Sequence, residues 1–521
     1  MAAQITLQNV AVGISEILIR NVTFSLGEGD RLGVVGNNGA GKTTLLRCIA
    51  GLVDPWEGSI ARPKGKRLVF VEQTTPPHLL ALTLREAVLD AIGEDDRDSL
   101  GWKVDVVLDQ FGTPEDTIDR PLSKLSGGWQ RLALIARAWA SDPDILIIDE
   151  PTNHLDLTKI IMLENWLQRE MSTTPLLIVS HDRRFLETCT NRTLFVRPGE
   201  SRMYAYSFSR ARQLLDDDDR ALENKKEREL MELQRLRKSA HNLRQIGVDN
   251  YSAAALRKSI QIGKRADAIQ ESLPVTHVEQ KRDIRLASQA THAKRLVGIK
   301  DLTISRPDGV PLFRIGKLDI GPAERVAVLG RNGSGKTQLV RKLRAGFGQP
   351  DDAREQGLVI APSLIMGYLD QNMSQLPDNE NLRDYLNGTY GTGLQRTIAL
   401  LASAGFPLAQ HTTIISQLSP GERARLALLA LRLRAPNFYL MDEPTNHLDI
   451  SGQEQLETEI LAHEAAAVLV SHDRAFVEHV GTRFLVVENT QILEIEEPDL
   501  FYKSLIDNVA LLTLSSRAKI L

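Results

Sequence analysis

The stretch "RLGVVGNNGAGKT", residues 31–43, returns as "RVAVLGRNGSGKT" at 325–337, and the pairing of these segments decides the fold. In each, an apolar run of strand length ends in a glycine-rich loop that runs into a helical pattern. Working outward, "DEPTNHLD" at 149–156 is repeated unchanged at 442–449. Lys42 to Lys336 is 294 positions, Ser126 to Ser419 is 293, Glu150 to Glu443 is 293 and His181 to His472 is 291. So constant an offset means one structural unit carried twice. The apolar runs "ILIID" (145–149) and "PLLIVS" (175–180) are matched by "FYLMD" (438–442) and "AVLVS" (467–471). Buried strands alternating with helices predict α/β domains, each a mainly parallel sheet covered on both faces, with functional loops at the strand ends. The repeat places one domain at 1–202 and the other at 297–521, with a unique segment at 203–296 between them.

Composition agrees with several globular units. The chain has 521 residues, 42% of them hydrophobic and 25% charged, and no apolar run reaches the roughly 18 residues that span a bilayer. No integral membrane segment is expected. The first residues, "MAAQITLQNVAVG", lack the basic region and long apolar core of a secretory signal. Cys48 and Cys189 are the only cysteines, too few for a four-thiolate zinc or iron–sulfur site. A reducing, cytoplasmic setting is expected. The formal net charge of −4 decides little, because a mildly acidic sum hides local basic patches.

The glycine loops carry the first chemistry. A loop between strand and helix turns its backbone N–H groups inward around a phosphate chain, and the helix N-terminus adds partial positive charge. The candidate nucleotide contacts are therefore Gly36, Asn37, Asn38, Gly39, Ala40, Gly41, Lys42, Thr43 and Thr44, and in the repeat Gly330, Arg331, Asn332, Gly333, Ser334, Gly335, Lys336, Thr337 and Gln338. Lys42 and Lys336 are expected on the β- and γ-phosphates, with Thr43 and Thr337 supplying hydroxyls to Mg²⁺. "ILIIDE" then ends a buried strand with two acids of different roles: Asp149 toward the metal, Glu150 toward the attacking water. Asp442 and Glu443 repeat them. His181 and His472, each in "SHD" after a further apolar strand, are placed to sense the γ-phosphate. Gln73 in "VFVEQ" and Gln371 in "GYLDQ" are candidates for Mg²⁺ and water contacts.

Between these motifs lie "LSGGWQRLALIARAW" (125–139) and "LSPGERARLALLALRL" (418–433), each a serine–glycine turn opening a strong helix. They resemble the signature sequence of ATP-binding cassette proteins, and the other motifs stand in that family's order over both halves. The resemblance implies two tandem P-loop ATP-binding cassette domains that close head to tail on two ATP molecules and hydrolyse them with Mg²⁺. Site one would join Lys42, Thr43, Gln73, Asp149, Glu150 and His181 to Ser419, Gly421 and Glu422. Site two would join Lys336, Thr337, Gln371, Asp442, Glu443 and His472 to Ser126, Gly127 and Gly128. Pro420 departs from the usual glycine and removes one backbone N–H. A second departure is that "VAVGISEILIRNV" and "ISRPDGVPLF" hold no aromatic where such cassettes stack adenine, which puts a strict preference for ATP over GTP in doubt.

Most cassettes of this kind drive transporters, so an ATP-binding subunit serving a membrane domain on another chain is one reading. Two fused cassettes with "DEPTNHLD" in each and a charged helical segment between them resemble the ABC-F family instead. That resemblance implies binding to ribosomes, with an α-helical hairpin linker reaching 23S rRNA and P-site tRNA; no DNA partner is expected. The linker's leucines, Leu222, Leu230, Leu233, Leu236 and Leu243, with Ile246, fall at helical spacing. "GVDN" (247–250) reads as the turn, and Leu256, Ile260, Ala266 and Ile269 continue the pattern beyond it. Residues 216–232 mix eight carboxylates with four bases, as a solvated helix does, whereas 235–265 hold eight bases and one acid. Arg235, Arg237, Lys238, Arg244, Arg257, Lys258, Lys264 and Arg265 are the candidate RNA contacts, as neutralisers of phosphate charge and, for Arg, as stacking planes.

Overall fold

The computed structural model describes residues 4–198, 200–273, 286, 293–446, 448–463, 465–507 and 519–521. The first cassette contains β1 (Ile5–Gly13), β2 (Ile17–Leu26), β3 (Arg31–Gly36), β4 (Glu57–Ala61), β5 (Leu68–Val71), β6 (Ile145–Asp149), β7 (Leu176–Val179), β8 (Arg192–Val196) and β9 (Arg202–Tyr204). The second contains β10 (Val297–Ser305), β11 (Pro311–Ile320), β12 (Arg325–Gly330), β13 (Leu358–Ile360), β14 (Met366–Leu369), β15 (Phe438–Asp442), β16 (Ala466–Val470), β17 (Arg483–Glu488), β18 (Gln491–Ile495) and β19 (Lys519–Ile520). The helices that matter here are α1 (Lys42–Ala50), α2 (Gly127–Ala140), α3 (Leu157–Glu170), α4 (Arg183–Cys189), α5 (Phe208–Asp249), α6 (Ala253–Ser272), α7 (Lys336–Gly348), α8 (Pro420–Arg434), α9 (Ile450–Ala462), α10 (Arg474–Val480) and α11 (Asp499–Asp507).

The parallel core is as the apolar runs predict. In the first cassette the order is β5-β6-β7-β3-β8-β9, parallel except for the β8–β9 pair, and every residue of β6 and β7 is buried. A strand covered on both faces needs side chains that are apolar at every position rather than at alternate ones. The unforeseen layer is antiparallel: β2-β1-β4 stand as a separate sheet, and Ile5, Leu7, Val10 and Phe24 pack with Leu45, Leu46 and Ile49 of α1 over the core strands. Register shifts along the β1 pairings break the strict alternation that marks such strands in a sequence. In the second cassette the corresponding strands join the core into one ten-stranded sheet.

The segment between the cassettes is an antiparallel helix pair. Ser259 donates to the Ala240 carbonyl at 2.9 Å, and Leu233 and Ala266 are buried between the helices. The turn differs from expectation. α5 continues through residues 247–249, and the reversal occupies 250–252, where Tyr251 adopts φ 50° and the Ser252 hydroxyl accepts from the Ala255 N–H to cap α6. The glycine that suggested a turn is tolerated inside the helix, and capping chemistry fixes the bend instead. Ile246 and Ile260 of the predicted apolar stripe are exposed.

The cassettes meet through α3 and α4 of one and α9, α10 and α11 of the other. Arg183 pairs with Glu457, and Arg474 forks onto Glu164, all four side chains being buried. Arg183 and Arg474 are 291 positions apart and Glu164 and Glu457 293, so the two bridges are repeats of each other. Removing one partner of such a pair leaves a buried charge uncompensated.

Candidate nucleotide sites between the cassettes

Each phosphate loop is built by its strand and helix. Gly41 and Gly335 cap α1 and α7 with φ of 91° and 105°, a left-handed conformation that glycine adopts without the steric cost of a Cβ. A side chain at Gly41 would also press on Leu18 and Ile19. The ammonium groups fold over the loops: Lys42 Nζ donates to the Gly36 carbonyl at 2.7 Å and Lys336 Nζ to the Gly330 carbonyl at 2.7 Å. Incoming phosphate oxygens offer these cations stronger, charge-assisted partners.

The acids at the ends of β6 and β15 sit where the backbone turns sharply. Glu150 and Glu443 both have φ of 54°, and their N–H groups bond the Val179 and Val470 carbonyls at 2.8 Å. A left-handed glutamate is a strained conformer that persists only where its surroundings enforce it. Burial pushes the Glu150 carboxyl up to about 8 against the pull of Lys42, and Glu443 up to about 7. His181 Nε2 lies 3.3 Å from Glu150 Oε1, and His472 Nε2 3.5 Å from Glu443 Oε1. Burial, reinforced by the lysines, holds the two imidazoles down at about 3 and about 4, so both rings are neutral near pH 7. A buried carboxyl poised near neutrality suits a general base.

Asp149 and Asp442 fit the cation. Both oxygens of Asp149 are buried without a hydrogen-bond donor, burial raises its pKa, and the Thr43 side chain pulls the other way. Asp442 has the same relation to Thr337. A buried carboxylate beside a hydroxyl is the hard oxygen set that Mg²⁺ takes.

One cleft of about 1660 Å³ holds much of this chemistry. Its lining includes Asn38, Gly39, Gly41, Lys42, Thr43, Thr44, Gln73, Asp149, Glu150 and His181 from the first half. From the second it includes Asn332, Gly333, Gly335, Lys336, Thr337, Gln338, Gln371, Asp442, Glu443 and His472, together with Ser419, Pro420, Gly421 and Glu422. Gly36, Asn37 and Ala40 line a smaller hollow behind the first loop. Ser126, Gly127 and Gly128 line neither; a side chain at Gly127 would meet His154 of the same cassette.

The signature turns differ in their caps. Ser419 and Glu422 form a capping box at the start of α8: the Ser419 hydroxyl donates to the Glu422 carboxylate at 2.7 Å, and the Ser419 N–H does so at 2.9 Å. The matching position in α2 is Trp129, and Ser126 makes no side-chain cap. Glu422 is therefore turned back on its own helix, an unfavourable neighbour for an anion. Contacts that the motifs alone did not suggest tie the loops together. Asp449 accepts from the Asn38 N–H at 3.1 Å, and Asp156 lies 3.4 Å from the Asn332 amide. Both acids stand in the repeated "DEPTNHLD", which was the available signal.

All eight candidate RNA contacts are exposed. Arg237 bonds Gln270 and Arg265 pairs with Glu232 across the hairpin. Tyr251 at the turn is 95% exposed.

A family model described as ABC transporter matches residues 19–153 and again 314–446, together just over half of the chain. The chain belongs to the ABC transporter family. Its two ABC units are ATP-binding cassettes, and ATP binding and hydrolysis are the general activity of such cassettes. Among similar proteins, ABC transporter F family member 5 of Arabidopsis thaliana is 27% identical over 94% of this chain and 75% of its own length. Ribosome protection protein VmlR of Bacillus subtilis is 29% identical over 94% of this chain and 87% of its own. The ABC-F resemblance is thus met by relatives along nearly the whole chain. In fold, the chain is similar to an archaeal ribosome recycling factor, aABCE1, solved with the ribosomal stalk protein aP1: TM-score 0.61, 19% identity, covering 92% of this chain and 87% of that one. Among the described residues no helix is long and apolar enough to cross a membrane.

Proposed function

We propose that this ABC protein is a cytoplasmic ATPase of the ABC-F type that binds ribosomes when its cassettes are closed on ATP, and that it acts on translation through the helical pair between them. The observation that carries this reading is the basic outer part of the hairpin, residues 235–265, whose eight bases are all exposed, set between two cassettes with complete hydrolytic motifs. Relatives of similar length include one named for ribosome protection, which supports the same direction.

Each nucleotide is sandwiched: at site one between the Lys42 loop and the turn at Ser419, Gly421 and Glu422, at site two between the Lys336 loop and the turn at Ser126, Gly127 and Gly128. Thr43 and Asp149, with Gln73, would hold Mg²⁺ at site one, and Thr337 and Asp442, with Gln371, at site two, where the ion would supply positive charge to offset that of the phosphates. Glu150 and Glu443 take the proton of the attacking water, while neutral His181 and His472 lie within reach of the same carboxylates. Bound ATP draws each signature helix N-terminus across the interface, and loss of the γ-phosphate releases it.

The test is co-sedimentation of the Glu150→Gln/Glu443→Gln protein with ribosomes. Pelleting with ATP and release with ADP are expected. No pelleting with ribosomes, but recovery with membranes in the presence of a transporter's membrane domain, would replace this reading with that of a transporter subunit.

A further inference from the structure

We propose that the hairpin is mechanically tied to one nucleotide site, site one, through Glu454 and Arg212. The role of the hairpin rests on the function proposed above; the tie itself is argued from the fold.

The connection begins at the first phosphate loop. Asp449, the N-cap of α9, accepts from the Asn38 N–H, and the Ser451 hydroxyl donates to Asn37 Oδ1 at 3.0 Å. One turn further along α9, Glu454 accepts from Arg212 near the start of α5 at 2.9 Å. Between these polar contacts Ile450 is buried against Val35, Leu186, Phe195, Phe208, Ala211 and Leu215. The strand that ends in the loop, the first turn of α9 and the base of the hairpin therefore share one packed core. Packed side chains pass on small displacements rather than absorbing them. α5 is 42 residues long, roughly 60 Å at helical rise, so a tilt of about 5° at its base moves the tip by about 5 Å.

The repeat supplies the control. Ile450 corresponds to Leu157 and Phe208 to Phe501, both 293 positions apart. At the second location Leu157 and Ile161 pack with Leu329, Val477, Val486, Phe501, Tyr502 and Leu505. α11 thus occupies the place of the start of α5, and among the described residues it runs for nine. Glu454 corresponds to Ile161, and Arg212 to Leu505, again 293 apart. The helix that continues into the hairpin has an ion pair where α11 has an aliphatic contact. The ion pair fixes an orientation as well as a separation, because a guanidinium is directional in a way that a methyl contact is not.

The test uses the full chain without ribosomes, in the Glu150→Gln/Glu443→Gln background, with spin labels at Asn250→Cys and Glu28→Cys; the native Cys48 and Cys189 are buried. Mg²⁺ and ATP are expected to shift the label-to-label distance distribution. Glu454→Arg should cut that shift to a third or less, and adding Arg212→Glu should restore it, which separates a lost orientation from a misfolded chain. Lys42→Ala should abolish the shift and Lys336→Ala should leave at least half of it. A shift that survives Glu454→Arg, fails to return in the swapped pair, is absent in the parent, or is lost equally in the two lysine variants overturns the proposal. Ribosome pelleting is read separately, so failure here leaves the proposed function standing.

Discussion

The two signature turns occupy the same place in their cassettes and differ in what holds them. Ser419 is engaged by Glu422, and Pro420 at the first helical position has no N–H to offer. Ser126 carries no side-chain cap and is followed by two glycines. A helix start is either stabilised from within or left to receive an anion, and the repeat shows one turn of each kind. The lesson is that a duplicated site need not be a duplicated function. In the proposed head-to-tail pairing site one takes the capped turn, and it is then expected to grip its nucleotide less well than site two.

The largest expected effect removes both sites at once. Glu150→Gln with Glu443→Gln should lower ATP turnover by about 10²- to 10⁴-fold, the contribution of a positioned general base. Measured singly, Glu443→Gln should cost more than Glu150→Gln; equal losses would erase the inequality of the sites. Next comes the interface. Arg474→Ala strands buried Glu164 and should destabilise the protein by about 3–5 kcal/mol in chemical denaturation. Arg184→Ala, whose pair with Glu478 is partly exposed, should cost no more than about 1 kcal/mol. A similar cost for both would mean that the reciprocal bridges are ordinary surface pairs.

A smaller effect is in pH. A base is active when deprotonated, so kcat/KM for ATP, which reports the free enzyme, should rise with pH through the glutamate pKa. With Glu443→Gln leaving site one, the rise should centre near 8, and with Glu150→Gln leaving site two, near 7. Profiles centred at the ordinary glutamate value of 4.5 would contradict the burial that raises both acids. The smallest effect is in the caps. Ser419→Ala should cost about 1 kcal/mol of stability and Ser126→Ala close to none, because only the first removes a cap.

What the sequence made legible follows from locality. The phosphate loops, the acids ending β6 and β15 and the histidines after β7 and β16 are short motifs at strand ends, and the constant offset between halves placed them in two equal units. The antiparallel layer of β1, β2 and β4 was missed because register shifts blur its period. Arg183–Glu457, Arg474–Glu164 and Arg212–Glu454 join residues more than 240 positions apart, and no local pattern marks such pairs. The cap at Ser419 was legible, since serine followed three residues later by glutamate is a capping box, yet the same glutamate read as a nucleotide contact. The hairpin turn moved to 250–252 because helix capping at Ser252 outweighs the presence of a single glycine.

The contrast between repeated cassettes and the unique hairpin leads to the most direct measurement. The Glu150→Gln/Glu443→Gln protein is incubated with ribosomes and ATP and pelleted over a salt series, with and without Arg235, Arg244, Arg257 and Lys258 reversed to glutamate. The parent should pellet with an affinity that falls steeply with salt, and the reversed variant should stay in the supernatant while still binding ATP. Equal pelleting of the two, with the same salt dependence, would contradict a role for the hairpin in ribosome binding.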